Sequence, residues 1–168
     1  TAEFQCLAGP EEVESTSSIE SGANLSRDHL GATEPSPCRI LLAEDNQVNR
    51  KLASKMLEKM GHTITVAEDG AQVLERRKTA KFDLILMDVQ MPNMDGYQTT
   101  RAQRAREARS GQRRVPIIAL TAHAMAGDER TAFAAGMDDY LTKPFTHKQL
   151  QKALTRWAAR PESGASGY

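Results

Sequence analysis

The chain alternates short apolar runs with stretches in which apolar and polar residues recur at helical spacing, and it does so five times. Short apolar runs bounded by turn formers have the length and composition of buried strands, whereas apolar positions recurring every three to four residues mark one face of a helix. Strands are therefore predicted at 39–43, 62–67, 83–87, 115–120 and 139–141. Helices are predicted over 46–60, from 70 onward, from 95–96 to just before 111, up to about 136, and after 146. In the first helix Val48, Leu52, Met56 and Met60 recur at spacing four as the expected core stripe, and Gly61 is placed to end it. Thr146-His147-Lys148-Gln149 has the capping-box form that opens the last helix, whose Leu150, Leu154 and Trp157 mark the core side. Such alternation produces a parallel sheet covered by helices on both faces. The expected class is α/β, a doubly wound (βα)5 five-stranded parallel sheet, and right-handed crossovers leave few topologies open. In the order 2-1-3-4-5, strands one and three adjoin at the switch point, where ligands bind outside the carboxyl ends of the strands.

Charge divides the chain further. Residues 1–37 carry seven acids against one base, Arg27, while the remainder holds 21 bases and 15 acids, so a formal net charge of zero hides two opposite parts. The first part is rich in Ser, Glu, Gly and Pro and shows no sustained periodicity, which predicts a flexible acidic linker over 1–37. The folded domain is expected over 38–160, and 161–168, with two Gly and two Ser, reads as a disordered tail. No stretch approaches a membrane span and no signal pattern opens the chain, so a soluble, cytoplasmic domain is expected. Cys6 and Cys38 fit neither a zinc spacing nor a disulfide framework. Arg101, Arg104, Arg106, Arg109, Arg113 and Arg114 cluster, and are expected to form a solvated helix face rather than a nucleic-acid footprint. His29, His62 and His147 are expected at the surface.

Two strands end in acid. Leu84-Ile85-Leu86-Met87 runs into Asp88, and Ile40-Leu41-Leu42-Ala43 into Glu44-Asp45. The predicted strand order brings these three carboxylates together, and clustered carboxylates cannot all stay ionised without a counter-charge. Hard oxygen donors without His or Cys suit Mg²⁺, or Mn²⁺, better than zinc. Strand four ends in Thr121, a hydroxyl donor, and Lys143-Pro144 follows strand five, offering an ammonium to an anionic group such as a phosphoryl oxygen. Asp45 or Asn46 is also placed to cap the first helix.

Four motifs in order and spacing make the chain resemble a response-regulator receiver domain over residues 39 to about 158. They are Leu41-Leu42-Ala43-Glu44-Asp45-Asn46, Leu86-Met87-Asp88-Val89-Gln90-Met91-Pro92-Asn93-Met94-Asp95-Gly96, Ile117-Ile118-Ala119-Leu120-Thr121-Ala122 and Tyr140-Leu141-Thr142-Lys143-Pro144-Phe145. The resemblance implies the flavodoxin-like receiver fold and phosphoryl transfer from a phosphohistidine onto Asp88. It implies that Asp45, Asp88 and the Gln90 backbone carbonyl ligate the divalent ion directly and Glu44 through water. Thr121 and Lys143 would hold phosphoryl oxygens, Thr121 and Tyr140 would form a switch, and Gln90 and His123 would tune the lifetime of the acyl phosphate. A receiver of this kind catalyses its own phosphorylation and dephosphorylation.

Thr1-Ala2-Glu3-Phe4 resembles the closing strand of a histidine-kinase ATP-binding domain, which would make 1–8 the end of such a domain, and Asp45-Asn46-Gln47-Val48-Asn49-Arg50 is similar to receivers fused behind kinases. A hybrid histidine kinase is thus the expected parent, with the kinase in the same polypeptide as phosphodonor. A tether of about thirty residues would keep the effective concentration high. A histidine phosphotransfer protein or another signalling protein would receive the output, and direct nucleic-acid binding is not expected. The alternatives are a stand-alone single-domain regulator, a degenerate receiver, a nucleotide-binding module and an aspartyl-phosphate phosphatase. The phosphatase normally carries a second acid two residues after the nucleophile, where this chain has Gln90; the nucleotide module lacks its glycine-rich loop.

Overall fold

The computed structural model describes residues 36–123 and 125–158. Five strands, β1 (Arg39–Ala43), β2 (Thr63–Ala67), β3 (Leu84–Asp88), β4 (Ile117–Thr121) and β5 (Asp139–Thr142), alternate with five helices. The helices are α1 (Gln47–Lys59), α2 (Gly70–Thr79), α3 (Gly96–Ser110), α4 (Ala126–Ala135) and α5 (His147–Ala158). All strand pairs are parallel, in the order β2-β1-β3-β4-β5. The sheet divides the core by residue parity, as the two-residue period of a strand requires. Leu41, Ala43, Ile85, Met87, Ile117 and Ala119 pack on one face with Val73 of α2 and Ala132 of α4. Ile40, Leu42, Leu84, Leu86, Ile118 and Leu120 pack on the other with Ala53 and Leu57 of α1 and Leu150, Ala153 and Leu154 of α5. Most of the acidic segment 1–37, the kinase-like start, the tail and His29 lie outside the described residues.

The expected stripe on α1 is half wrong. Val48 and Leu52 are 74% and 52% exposed, while Ala53 and Leu57 are buried and Met56 and Met60 partly so. A row at spacing four drifts around the helix, so four successive members cannot all face one sheet. The buried set follows the mixed three-and-four pattern instead.

His62, expected at the surface, is 6% exposed. It follows the left-handed turn at Gly61 (φ 85°), and its Nδ1 accepts the Cys38 backbone N–H at 3.2 Å. Burial holds its pKa below the usual imidazole range. Cys38 is buried without a disulfide, and burial first, then the nearby Asp83 carboxylate, pushes its thiol up. His147 is exposed, as expected.

The arginines of α3 also depart from a simple solvated face. Arg101 and Arg109 are exposed. Arg104 instead folds inward, donating from Nε to Gly136 O (2.9 Å) and from its terminal nitrogens to Val115 O (2.8 Å), Glu107 (2.7 Å) and Asp138 (2.7 Å). Arg114 adds bonds to Gly136 O and Asp138. The side of α3 facing the protein is polar, with Thr99, Thr100, Gln103 and Glu107 buried. Hydrophobic periodicity therefore could not mark this helix; its reciprocal capping box, Asp95 with Gln98, does. At α4 the two ends differ: the C-terminal Gly136 is held by both arginines, whereas Met125 at the N-cap supplies no side-chain cap.

Candidate active site at the carboxyl ends of the strands

The Ala43–Met87 register of β1 and β3 sets the following residues, Glu44 and Asp88, side by side at the rim. Glu44 is 2% and Asp88 5% exposed, while Asp45 is open to solvent. One carboxylate oxygen from each of the three lies within 4.8 Å of the others. Lys143, delivered by the turn after β5, reaches across and donates to Glu44 Oε2 and Asp88 Oδ2, each at 2.7 Å. Its backbone N–H donates to Thr121 O at 2.7 Å, and its peptide bond to Pro144 is cis.

Local hydrogen bonds fix each acid. Asp88 Oδ1 accepts the Gln90 N–H at 3.0 Å. Glu44 Oε1 accepts from the Asn46 N–H (3.2 Å) and from Asn49 Nδ2 (3.4 Å). Capping of α1 falls to Asn46, whose Oδ1 accepts from Val48 and Asn49 N–H, and this leaves Asp45 outside the cap. The turn after β3 passes through Asn93 in the left-handed region (φ 65°) and returns so tightly that a Cβ on Gly96 would collide with Asp88 O.

Electrostatically the cluster is short of positive charge. Burial foremost, then the Asp88 carboxylate, raises the Glu44 pKa against the opposing pull of Lys143. For Lys143 burial is the largest influence and acts downward, but the hydrogen bonds and charges of Asp88 and Glu44 together prevail and hold its pKa above the usual value. Three carboxylates facing one ammonium, all with hard oxygen donors, fit a divalent ion of the magnesium type.

Thr121 is 7% exposed, and its Oγ1 donates to His123 O (3.0 Å) and accepts from His123 N–H (3.2 Å), so the hydroxyl is engaged with its own loop. Tyr140 is half-buried; its hydroxyl reaches Glu129 Oε2 at 3.5 Å and its ring meets Phe133 edge-on, centroids 6.4 Å apart. A void of about 10 Å³ lies between Thr121 and Tyr140, bordered by Ala119 and Ala132. Gln90 and His123 are exposed on a wider cleft that also includes Tyr97 and Asp128. Sequence reasoning gave Asn49 no role at the site; an amide three residues past a cap residue is the only signal that could have found it.

The chain matches the family model described as the response regulator receiver domain over residues 40–155. It is 47% identical over 119 residues to the sensor protein GacS of Pseudomonas syringae pv. syringae, covering 71% of this chain and 13% of GacS. It is 43% identical over 127 residues to the histidine-protein kinase BarA of Shigella flexneri, covering 76% of this chain and 13% of BarA. The receiver domain of sensor histidine kinase PA1611 from Pseudomonas aeruginosa PAO1, solved with a magnesium ion in its active-site cleft, superposes with a TM-score of 0.68 at 45% identity, covering 74% of this chain and all of that one. A receiver domain of Saccharomyces cerevisiae Ssk1, crystallised with the histidine phosphotransfer protein Ypd1, gives a TM-score of 0.69 at 32% identity, covering 73% of this chain and 89% of that one. The chain thus spans a small fraction of the sensor kinases it resembles and nearly all of the isolated domains, and it belongs to the response regulator receiver domain family.

Proposed function

We propose that this chain accepts a phosphoryl group on Asp88 within a two-component phosphorelay. The observation that carries this is the 2.7 Å contact between Lys143 Nζ and Asp88 Oδ2 inside a cluster of three acids at the rim of the sheet. Asp88 Oδ attacks phosphorus, the bond from phosphorus to the donor nitrogen breaks, and an acyl phosphate forms. Lys143 neutralises a phosphoryl oxygen that arrives, and the Gln90 N–H keeps the other carboxylate oxygen oriented. Asp45, Asp88 and the Gln90 carbonyl are the residues that would hold Mg²⁺ or Mn²⁺ directly, with Glu44 outside them. When bound, such an ion supplies positive charge against the phosphoryl oxygens.

Thr121 would leave the His123 backbone for the phosphoryl group, and Tyr140 would turn toward the void beside it. This biases a two-state element at α4, β5 and α5. Gln90 and His123, exposed at the cleft, are placed to govern water access to the acyl phosphate and so its lifetime.

The parent is proposed to be a hybrid histidine kinase. GacS and BarA, described as sensor and histidine kinases, support this reading, and the complex of Ypd1 with the receiver domain of its downstream response regulator Ssk1 supports docking between a receiver of this fold and a histidine phosphotransfer protein. Val48 and Leu52, exposed on α1 at spacing four beside the acid cluster, offer an apolar strip to a partner helix carrying the histidine. No helix among the described residues is long and apolar enough to cross a membrane.

The test is incubation of the chain with acetyl phosphate and Mg²⁺, read by intact mass. A gain of one phosphoryl group, absent in Asp88→Asn and with excess chelator, is expected. Labelling of Asp88→Asn to the wild-type extent would overturn the assignment.

A further inference from the structure

The three acids of the rim differ in how far the protein already fills them. A carboxylate offers about four lone-pair positions to donors or to a metal ion. On Glu44, Oε1 accepts from both the Asn46 N–H (3.2 Å) and Asn49 Nδ2 (3.4 Å), and Oε2 accepts from Lys143 at 2.7 Å, so three donors bear on this buried group. Asp88 meets two donors, the Gln90 N–H on one oxygen and Lys143 on the other. Asp45 is exposed and accepts no hydrogen bond among the described residues.

Asn49 makes the difference between Glu44 and Asp88. It stands at an exposed position in the first turn of α1, and only its backbone N–H serves the Asn46 cap. The side-chain amide is thus not needed to start the helix. Among the described residues it makes one hydrogen bond, to Glu44.

We propose that Asn49 is a positioning residue that sets the ion preference of the cluster, favouring Mg²⁺ over Ca²⁺. The inference rests on the reading that Asp45 and Asp88 hold a divalent ion. Mg²⁺ takes few carboxylates and keeps several waters, whereas Ca²⁺ takes roughly six to eight oxygens in looser arrangements. With two donors on Oε1, Glu44 stays an outer acceptor and the ion meets few protein oxygens. Without the Asn49 amide, Glu44 is no more filled than Asp88, and its Oε1 regains a lone pair. A third carboxylate is then free to join the ion directly, and the added ligand and slack both favour the larger ion.

The full chain is titrated with Mg²⁺ alone and with Ca²⁺ alone, following the amide shifts of 44–46 and 88–90 in wild type, Asn49→Ala and Asn49→Gln. Asn49→Ala is expected to move the ratio of the two dissociation constants toward Ca²⁺ by about tenfold, with the amide spectrum elsewhere remaining that of the folded wild type. Asn49→Gln, which keeps an amide donor, should recover part of the preference. A ratio equal to wild type in Asn49→Ala, with both affinities unchanged or falling together, overturns the proposal and leaves the ion-binding reading standing. A variant Asn49→Gln as altered as Asn49→Ala overturns it too. Wild-type amides that respond to neither ion would overturn the ion-binding reading and this inference with it.

Discussion

Lys143 Nζ stands 2.7 Å from Asp88 Oδ2, although β4 lies in the sheet between β3, which Asp88 ends, and β5, which Lys143 follows. The ammonium thus bridges β3 and the turn after β5 above β4, and it does so by occupying the carboxylate proposed to react. Replacing it by Met leaves Glu44 and Asp88 facing each other without a counter-charge. Lys143→Met is expected to lose about 2 kcal/mol of stability in chelator, with part of the loss recovered on adding Mg²⁺. Denaturant titrations with and without the ion check this, and a loss unaffected by Mg²⁺ would contradict it.

Thr121 holds its own loop rather than the acid cluster, so removing its hydroxyl should cost little in the resting state and much in the response. Thr121→Ala is expected to accept phosphate from acetyl phosphate more slowly yet to show weaker amide shifts over α4, β5 and α5. Shifts equal to wild type would remove Thr121 from the switch.

The apolar strip on α1 gives a separable prediction. Leu52→Asp alters a side chain that is 52% exposed, so stability should change by roughly 0.5 kcal/mol or less. Labelling by acetyl phosphate should be unchanged, while exchange with a histidine phosphotransfer protein falls about tenfold. A transfer rate equal to wild type would mean that the partner docks elsewhere.

What could be read beforehand follows the physics of each residue. The strands are legible because buried parallel strands are nearly all apolar, and the strand ends gave Asp88, Glu44 and Lys143 their positions once the order 2-1-3-4-5 was assumed. The long-range bond from Lys143 to Glu44 was not legible, because it depends on how the turn after β5 folds back. The inward Arg104 was hidden for a different reason. An arginine in a basic run looks solvated until the carbonyls of Gly136 and Val115, distant in sequence, are seen to converge on it. The exposure of Val48 and Leu52 shows a third limit, since a four-residue row resembles a core stripe although only a mixed three-and-four row stays on one face.

His62 provides a pH dependence remote from the acid cluster. Burial lowers its pKa, so the folded protein keeps the ring neutral while the unfolded chain takes up a proton near 6.5. The unfolded state then binds more protons, and stability is full above about pH 6.5 and falls as pH drops through the folded-state value. His62→Asn retains an acceptor for the Cys38 N–H without titrating. Its stability deficit relative to wild type should therefore shrink as the solution is acidified below about pH 6.5, as measured by denaturant midpoints. A deficit independent of pH would show that the ring does not titrate differently on folding.

The unequal fastening of α4 gives the proposed output face a geometry. Its C-terminal end is tied through the Gly136 carbonyl to Arg104 and Arg114, while Met125 at its N-terminal end supplies no side-chain cap. Under the proposed switch, a pull from Thr121 would act on the uncapped end of a rod pinned at the other. The helix would then swing as a lever rather than slide, with displacement greatest near Met125 and least near Gly136. A partner reading the N-terminal turn of α4 would receive the amplified motion, and one gripping its C-terminal end almost none.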